Sequence, residues 1–313
     1  MKILVTGAAG FIGSHTAEYF AKQGHQVYGM DNFDDYYDLS LKKLNQKDIE
    51  GVGVHFIEAD LLGDLNAKLP KDFDYIFHYA AQPGISAITA LNEYVRNNIF
   101  ATQNLLEWVY TSSPKLKLFV NIATSSIYGK FATLPETAVP EPISFYGTTK
   151  LAAEQLVLGA HRSGKLPACS LRLYSVYGPR ERPEKLYTKL IKSIFEQKEF
   201  PLFQGSETHS RSFTYVGDIV DAMASVIGRE ESIKGEIINI GTDVAYTTGQ
   251  GIAMIEEIIG LKAKIQSHPP RPGDQLRTTA LIDKARKLLD YKPETSFEDG
   301  LKAQVQWYKD KFL

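Results

Sequence analysis

The chain carries a single cysteine, Cys169, in 313 residues. That excludes an intramolecular disulfide and fits a reducing cytoplasm. No run of about eighteen apolar residues occurs, so no membrane-spanning helix is expected. Met1 leads straight into an apolar, strand-like run rather than a signal peptide. Net charge is only −2, which leaves no global field to attract nucleic acid or an anionic membrane. The histidines (His15, His25, His55, His78, His161, His209, His268) are scattered without metal-ligand spacing, so no metal site is expected. Internal repeats and low-complexity tracts are also missing. What remains is an ordinary soluble balance, 43% hydrophobic and 23% charged, in a chain long enough for one large or two moderate domains.

Short apolar runs alternate with amphipathic stretches through the first half. Lys2–Thr6, Gln26–Met30, Val54–Ile57, Tyr75–His78 and Leu116–Asn121 read as buried strands, and Leu171–Tyr174 as another. Helical patterns lie between them, notably Phe11–Gln23, Leu91–Tyr110 and Tyr146–Ala160. Strands alternating with helices predict an α/β chain with a Rossmann-like, doubly wound parallel sheet. Prolines 179, 183, 201, 269, 270 and 272 then break the chain into shorter elements. The expected division is a dinucleotide-binding domain over residues 1–172, rejoined by about 213–241. Residues 173–212 and 242–313 form a smaller α/β substrate domain.

Gly7-Ala8-Ala9-Gly10-Phe11-Ile12-Gly13 follows the first strand directly. Gly7 permits a tight turn, Gly10 lets the backbone approach a pyrophosphate, and Gly13 allows close helix–strand packing. The helix opening near Phe11 turns its free N–H groups and positive dipole end toward that phosphate. A glycine-rich turn without a ligand would look the same in isolation. Here, however, the next strand ends in Asp31, placed to bind the adenosine ribose hydroxyls and to repel a 2′-phosphate. NAD is therefore expected over NADP.

Tyr146-Gly147-Thr148-Thr149-Lys150 puts a phenol and an ammonium on one helix face. The ammonium favours the ionised phenol, so a group with a reference pKa near ~10 becomes a base closer to neutrality. Alone, such a pair is as compatible with a solvated helix face. With G-x-x-G-x-x-G upstream, the chain resembles the extended short-chain dehydrogenase/reductase family over essentially its whole length. The resemblance implies that Tyr146 and Lys150 act with Thr124, the hydroxyl four residues before Tyr128, on the substrate's reacting oxygen. It implies further cofactor contacts at Asn32, Asp60, Leu61, Ala80, Ala81, Gln82, Asn98, Tyr146 and Tyr174, with Lys150 on the nicotinamide ribose.

The second half resembles nucleotide-sugar epimerases. The passage Arg172-Leu173-Tyr174-Ser175-Val176-Tyr177-Gly178-Pro179-Arg180-Glu181-Arg182-Pro183 matches their R-x-x-x-V-Y-G-P-x-x-R-P pattern. Arg211 and Arg271 fall where the family grips a nucleotide diphosphate, and Asp274 where it holds the uridine ribose. Forked guanidinium donors suit a diphosphate, although surface arginines paired with Glu207 or Asp274 would give the same pattern. After the threonine, family dehydratases place Asp-Glu and decarboxylases Ser-Glu. This chain has Ser125-Ser126, so elimination loses its usual acid and base and 4-epimerisation is favoured.

Asp31-Asn32-Phe33-Asp34-Asp35-Tyr36-Tyr37-Asp38 is similar to the D-N-x-x-D-Y-Y-D segment of UDP-glucuronate 4-epimerases. Ser125, Ser126 and Ser175 then become neutral partners for a C6 carboxylate. One departure stands out: Ile85-Ser86-Ala87-Ile88 follows Gln82-Pro83-Gly84, where these epimerases usually carry an arginine. UDP-glucose, an N-acetylated UDP-sugar and a keto-sugar awaiting reduction or dehydration stay open as substrates. A nucleotide-sugar reductase would turn over NAD(P)H, and a cofactor sensor would need no Thr–Tyr–Lys set. The resemblance also implies a homodimer paired through Leu91–Tyr110 and Tyr146–Ala160.

Overall fold

A computed structural model of the chain describes residues 1–84, 89–269 and 277–313. Seven parallel strands form the central sheet: β1 Lys2–Thr6, β2 Gln26–Asp31, β3 His55–Glu58, β4 Tyr75–His78, β5 Leu118–Thr124, β6 Ala168–Leu173 and β7 Ile237–Ile240. Their spatial order is β7-β6-β5-β4-β1-β2-β3. The order reverses beside β1, and the resulting crevice at the strand C-termini is where open α/β sheets bind ligands. β5 is buried at all seven positions, as expected of a strand covered by helices on both faces. Two apolar clusters fill those faces, one around Val5, Phe20 and Phe77, the other around Leu4, Ile76, Leu105 and Phe119.

The helices that matter to the crevice are α1 Phe11–Lys22, α2 Leu39–Glu50, α3 Ala101–Ser112 and α4 Phe145–Arg162. α4 is capped by Ser144, whose hydroxyl accepts from the Gly147 N–H. The continuous helix expected over Leu91–Tyr110 is interrupted. A π-helical stretch occupies Val95–Phe100, between a short helix Leu91–Tyr94 and α3. Such wide turns are rare and concentrate at functional sites. Nothing in the apolar spacing announces it, because the extra residue is held by side-chain bonds of Asn98 to distant segments.

β5 runs three residues past its expected end and β6 starts three earlier, because Ala123-Thr124 and Ala168-Cys169-Ser170 are too small or polar to look strand-like. Beyond the sheet, short strands and the helices Leu186–Phe195, Thr248–Ile259 and Phe297–Phe312 pack around Tyr177, Tyr187, Phe213 and Phe297. The chain passes into this region through Gly178-Pro179-Arg180. The Pro179 carbonyl accepts from His15 Nε2 of α1 at 2.8 Å. Arg180 pairs with Glu18 at 2.7 Å and Asp48 at 3.3 Å. These contacts fix where Arg182 enters the crevice.

Candidate active site

A cleft of about 1190 Å³ opens along the C-terminal edge of the sheet. At its centre stands the turn after β1, with Gly7, Gly10, Phe11, Ile12 and Gly13 all in the wall. Gly7 has φ +70°, and a Cβ on Gly13 would stand 2.3 Å from the Gly7 carbonyl oxygen. Only glycine lets α1 start this close to the strand. No side chain caps α1, so its N-terminal dipole faces the cleft uncompensated by a carboxylate or hydroxyl.

Asp31, Asn32, Asp60 and Leu61 line one end. Asp31 is buried and accepts from the Ala9 and Phe33 N–H groups at 3.2 and 2.9 Å. Lys42, which the sequence reading did not single out, lies 3.7 Å from the Asp31 carboxylate and donates to the Asp34 carbonyl at 2.8 Å. Its charge offsets part of Asp31's, so repulsion of a 2′-phosphate is weaker than Asp31 alone would produce. Asp60 is bound by Arg96 at 2.6 Å.

Ala80, Ala81 and Gln82 form the next part of the wall. Asn98, expected at the cofactor, is absent from the cleft wall, whereas its neighbour Asn97 is part of it. The π-helical turn carries Asn98 inward. Buried there, it accepts from the Gln82 N–H at 2.7 Å and donates to Thr149 Oγ1 at 2.9 Å. Its place is behind the wall, joining the loop after β4 to α4.

Thr124, Tyr146 and Lys150 meet in the middle of the cleft, brought together by the end of β5 and the first turns of α4. The structure revises one electrostatic expectation. Burial raises the Tyr146 phenol above its ordinary value, opposed by hydrogen bonding to Thr124 and by the Arg182 charge. Lys150 is not among the groups that shift it. Burial lowers Lys150 itself to about 8, with Glu154 opposing. Sequence spacing could place the two groups on one face but could not measure their desolvation.

The far end contains Ser125, Ser126, Tyr174, Ser175, Arg182 and Arg211. Arg182 pairs with Glu184 at 2.9 Å and lies 5.8 Å over the Tyr36 ring. Tyr36, Tyr37, Thr148 and Lys185 also line the cleft. The paired tyrosines were visible as part of a family segment, whereas Lys185 carried no sequence signal. Arg271, Asp274 and the departure at Ile85–Ile88 lie outside the described residues. Among those described, the carboxylates in the wall are Asp31 at the end of β2 and Asp34 and Asp60 in the segments after β2 and β3. Thr124 and Tyr146 thus face hydroxyls and cations rather than carboxylates.

Residues 3–241 match the model of the NAD dependent epimerase/dehydratase family. The chain belongs to that family. An uncharacterised UDP-glucose epimerase, YtcB of Bacillus subtilis, is 39% identical over 98% of both chains. UDP-glucuronate 4-epimerase 2 of Arabidopsis thaliana is 33% identical over 98% of this chain and 76% of its own. Among solved structures, the UDP-glucuronic acid 4-epimerase of Bacillus cereus, in complex with UDP-glucuronic acid and NAD, superposes over 100% of both chains. Its TM-score is 0.92 and its identity 37%.

NAD is the cofactor of this family, and the residues present fit it. Gly13 lets α1 start directly against Gly7, and the uncapped N-terminus of that helix lines the cleft where a pyrophosphate would sit. Gln82 and Tyr174 line the cleft, and the Nε2 of the first and the hydroxyl of the second are buried with no hydrogen-bond partner among the described residues. Orphaned polar atoms of that kind call for a ligand. Among the described residues, no group of His, Cys, Asp or Glu could hold a metal ion, and no helix is long and apolar enough to cross a membrane.

Proposed function

We propose that this enzyme is a UDP-sugar 4-epimerase that interconverts UDP-glucuronate and UDP-galacturonate. The observation that carries this reading is the pairing of Thr124–Tyr146–Lys150 with Ser125, Ser126 and Ser175, and no carboxylate beside them among the described residues. Bound NAD supplies a hydride acceptor at the sugar's C4 and later a donor to the opposite face. Tyr146, ionised, takes the C4 hydroxyl proton and returns it after the keto sugar has turned over. Thr124 orients that oxygen, and the Lys150 ammonium holds the nicotinamide ribose. Gly7, Gly10, Phe11, Ile12 and Gly13 hold the pyrophosphate, Asp31 and Asn32 the adenosine ribose, Asp60 and Leu61 the adenine. Ala80, Ala81, Gln82 and Tyr174 flank the rest of the cofactor.

At the substrate end, Arg182 and Arg211 face the diphosphate, with Arg271 and Asp274 proposed to complete the nucleotide site. The serines hold a C6 carboxylate through neutral hydrogen bonds, so nothing beside C5 removes its proton and no acid promotes loss of water. In this reading residues 1–172 with about 213–241 hold NAD, and 173–212 with 242–313 hold the nucleotide sugar. The enzyme works in the cytoplasm as a homodimer joined through the helices around residues 91–110 and α4. Exposed Leu91 and Phe100 on the first of these support that pairing.

Incubation with UDP-glucuronate and, separately, UDP-glucose, followed by NMR of the anomeric protons, tests the reading. The galacto isomer of UDP-glucuronate is expected without added NAD, because net redox is zero. A pentose product would show decarboxylation and defeat the argument from Ser125-Ser126. Conversion of UDP-glucose alone would move the substrate to the neutral sugar, as the name of the Bacillus subtilis relative has it.

The low Lys150 value sets a pH limit. Lys150 is an ammonium below about 8 and a neutral amine above it. Tyr146 must lose a proton and Lys150 keep one, so kcat/KM is expected to rise with pH while the phenol ionises and to lose about one unit of logarithmic slope above about pH 8, where Lys150 gives up its proton. A slope unchanged from about pH 7 to about pH 9 would remove the Lys150 ammonium from the mechanism.

A further inference from the structure

α4 stacks three ionisable side chains at four-residue steps: Tyr146, Lys150 and Glu154. The first two line the cleft and Glu154 does not. Glu154 is 0% exposed and meets Arg172 of β6, itself 1% exposed. The contact is forked, with Nη2 to Oε1 at 2.6 Å and Nε to Oε2 at 3.0 Å. The Ser170 hydroxyl donates to the same carboxylate at 3.0 Å, and Asn121 donates to Ser170 at 2.9 Å.

On its other side, Arg172 Nη1 donates to the Tyr128 hydroxyl at 2.8 Å, and the guanidinium lies 5.0 Å over the Tyr128 ring. Tyr128 donates onward to Asn239 of β7 at 2.9 Å. It also closes the turn Ser125–Tyr128, whose cap is Thr124. One buried network therefore joins the helix carrying Tyr146 and Lys150 to the turn carrying Thr124. An ion pair this deep recovers little stability after desolvation, and well-packed apolar residues often serve as well. A role besides stability is called for.

We propose that Glu154, Arg172 and Tyr128 are positioning residues: they hold the Thr124 turn in register with the Tyr146–Lys150 helix and keep the Lys150 ammonium charged. This rests on the reading of Tyr146 and Lys150 as the proton-handling pair. Turn and helix touch without slack, since a Cβ on Gly147 would stand 2.7 Å from the Ser126 carbonyl oxygen. A shift of the Tyr128 anchor thus moves Thr124 relative to Tyr146.

The charges act in the same place. Lys150 has Tyr146 one turn before it and Glu154 one turn after it on its own helix, and His78 of β4 nearby. Arg172 of β6 stands behind Glu154, and Arg182 faces Tyr146 from the substrate side. Burial and the nearby Lys150 charge hold His78 neutral, its pKa lowered to about 3. Glu154 is the anion that opposes the desolvation of Lys150.

The test uses the NAD-loaded enzyme labelled with 13C at the lysine ε-carbon, the Lys150 signal being assigned by its loss in Lys150→Arg. In Glu154→Gln the Lys150 titration is expected to move down by about one pH unit, and the loss of slope in kcat/KM to follow. In Tyr128→Phe, which keeps the charge pair, the titration stays in place while kcat drops roughly tenfold at constant KM. An unshifted Lys150 in folded Glu154→Gln overturns the proposal, and so does a wild-type kcat in Tyr128→Phe. Should Glu154→Gln fail to fold, Tyr128→Phe decides by itself. The titration needs no substrate, so it reads out even if UDP-glucuronate is not turned over, an outcome that would defeat the proposed function instead.

Discussion

Tyr146→Phe is expected to lower epimerisation by about 10³-fold while NAD stays bound, the scale of losing a positioned general base. The substitution removes one oxygen from a buried site. The ring remains packed near Tyr94, 6.4 Å away between centroids. Because burial raises the phenol and Lys150 does not lower it, the phenolate depends on Thr124, on Arg182 and on the positive charge that NAD brings. The free-enzyme phenol should therefore titrate above the ordinary tyrosine value and the NAD-loaded one below the free form. Ultraviolet difference titration of the two forms, with Tyr146→Phe as the blank, measures both. Activity within about tenfold of wild type in Tyr146→Phe would remove the phenol from the chemistry.

Gly13→Ala is expected to give protein that retains no NAD on purification. The added methyl would stand 2.3 Å from the Gly7 carbonyl oxygen and 2.9 Å from the Gly7 carbonyl carbon. Both are backbone atoms of the turn itself, so no side chain can swing aside. Either α1 lifts away from β1 or the turn opens, and each displaces the N–H groups that would meet a pyrophosphate. The absorbance ratio of the purified protein and the NAD released on denaturation report the loss directly. Ser144→Ala, which removes only the cap of α4, makes a suitable control. It should melt lower by the equivalent of about 1 kcal/mol yet keep its cofactor. Gly13→Ala with a full complement of NAD would show that the close approach is not required.

The features most legible in the sequence were those governed by local rules. Strand, glycine turn and helix follow one another within Lys2–Lys22 because turn geometry and hydrophobic spacing act over a few residues. Asp31 could be placed because it ends the next strand. Tyr146 and Lys150 share a face by helical periodicity alone. Asn98 shows the limit: the family resemblance put it at the cofactor, whereas in the π-helical stretch it is buried behind the wall and its neighbour Asn97 lines the cleft. Lys42 and Lys185 were missed because each looks like an ordinary helix or loop lysine until the chain folds beside it.

The sequence by itself determined the alternation that makes a parallel sheet, the phosphate turn, the preference for NAD and the phenol–ammonium pair, all read from local patterns, and its family resemblance supplied Thr124. The tertiary structure decided what those groups experience. It set burial against the Tyr146 phenol, brought Arg182 across from a distant segment, and locked Glu154 to Arg172 behind Lys150. Charge energies depend on distance and desolvation summed over the whole fold. No spacing rule along the chain contains them.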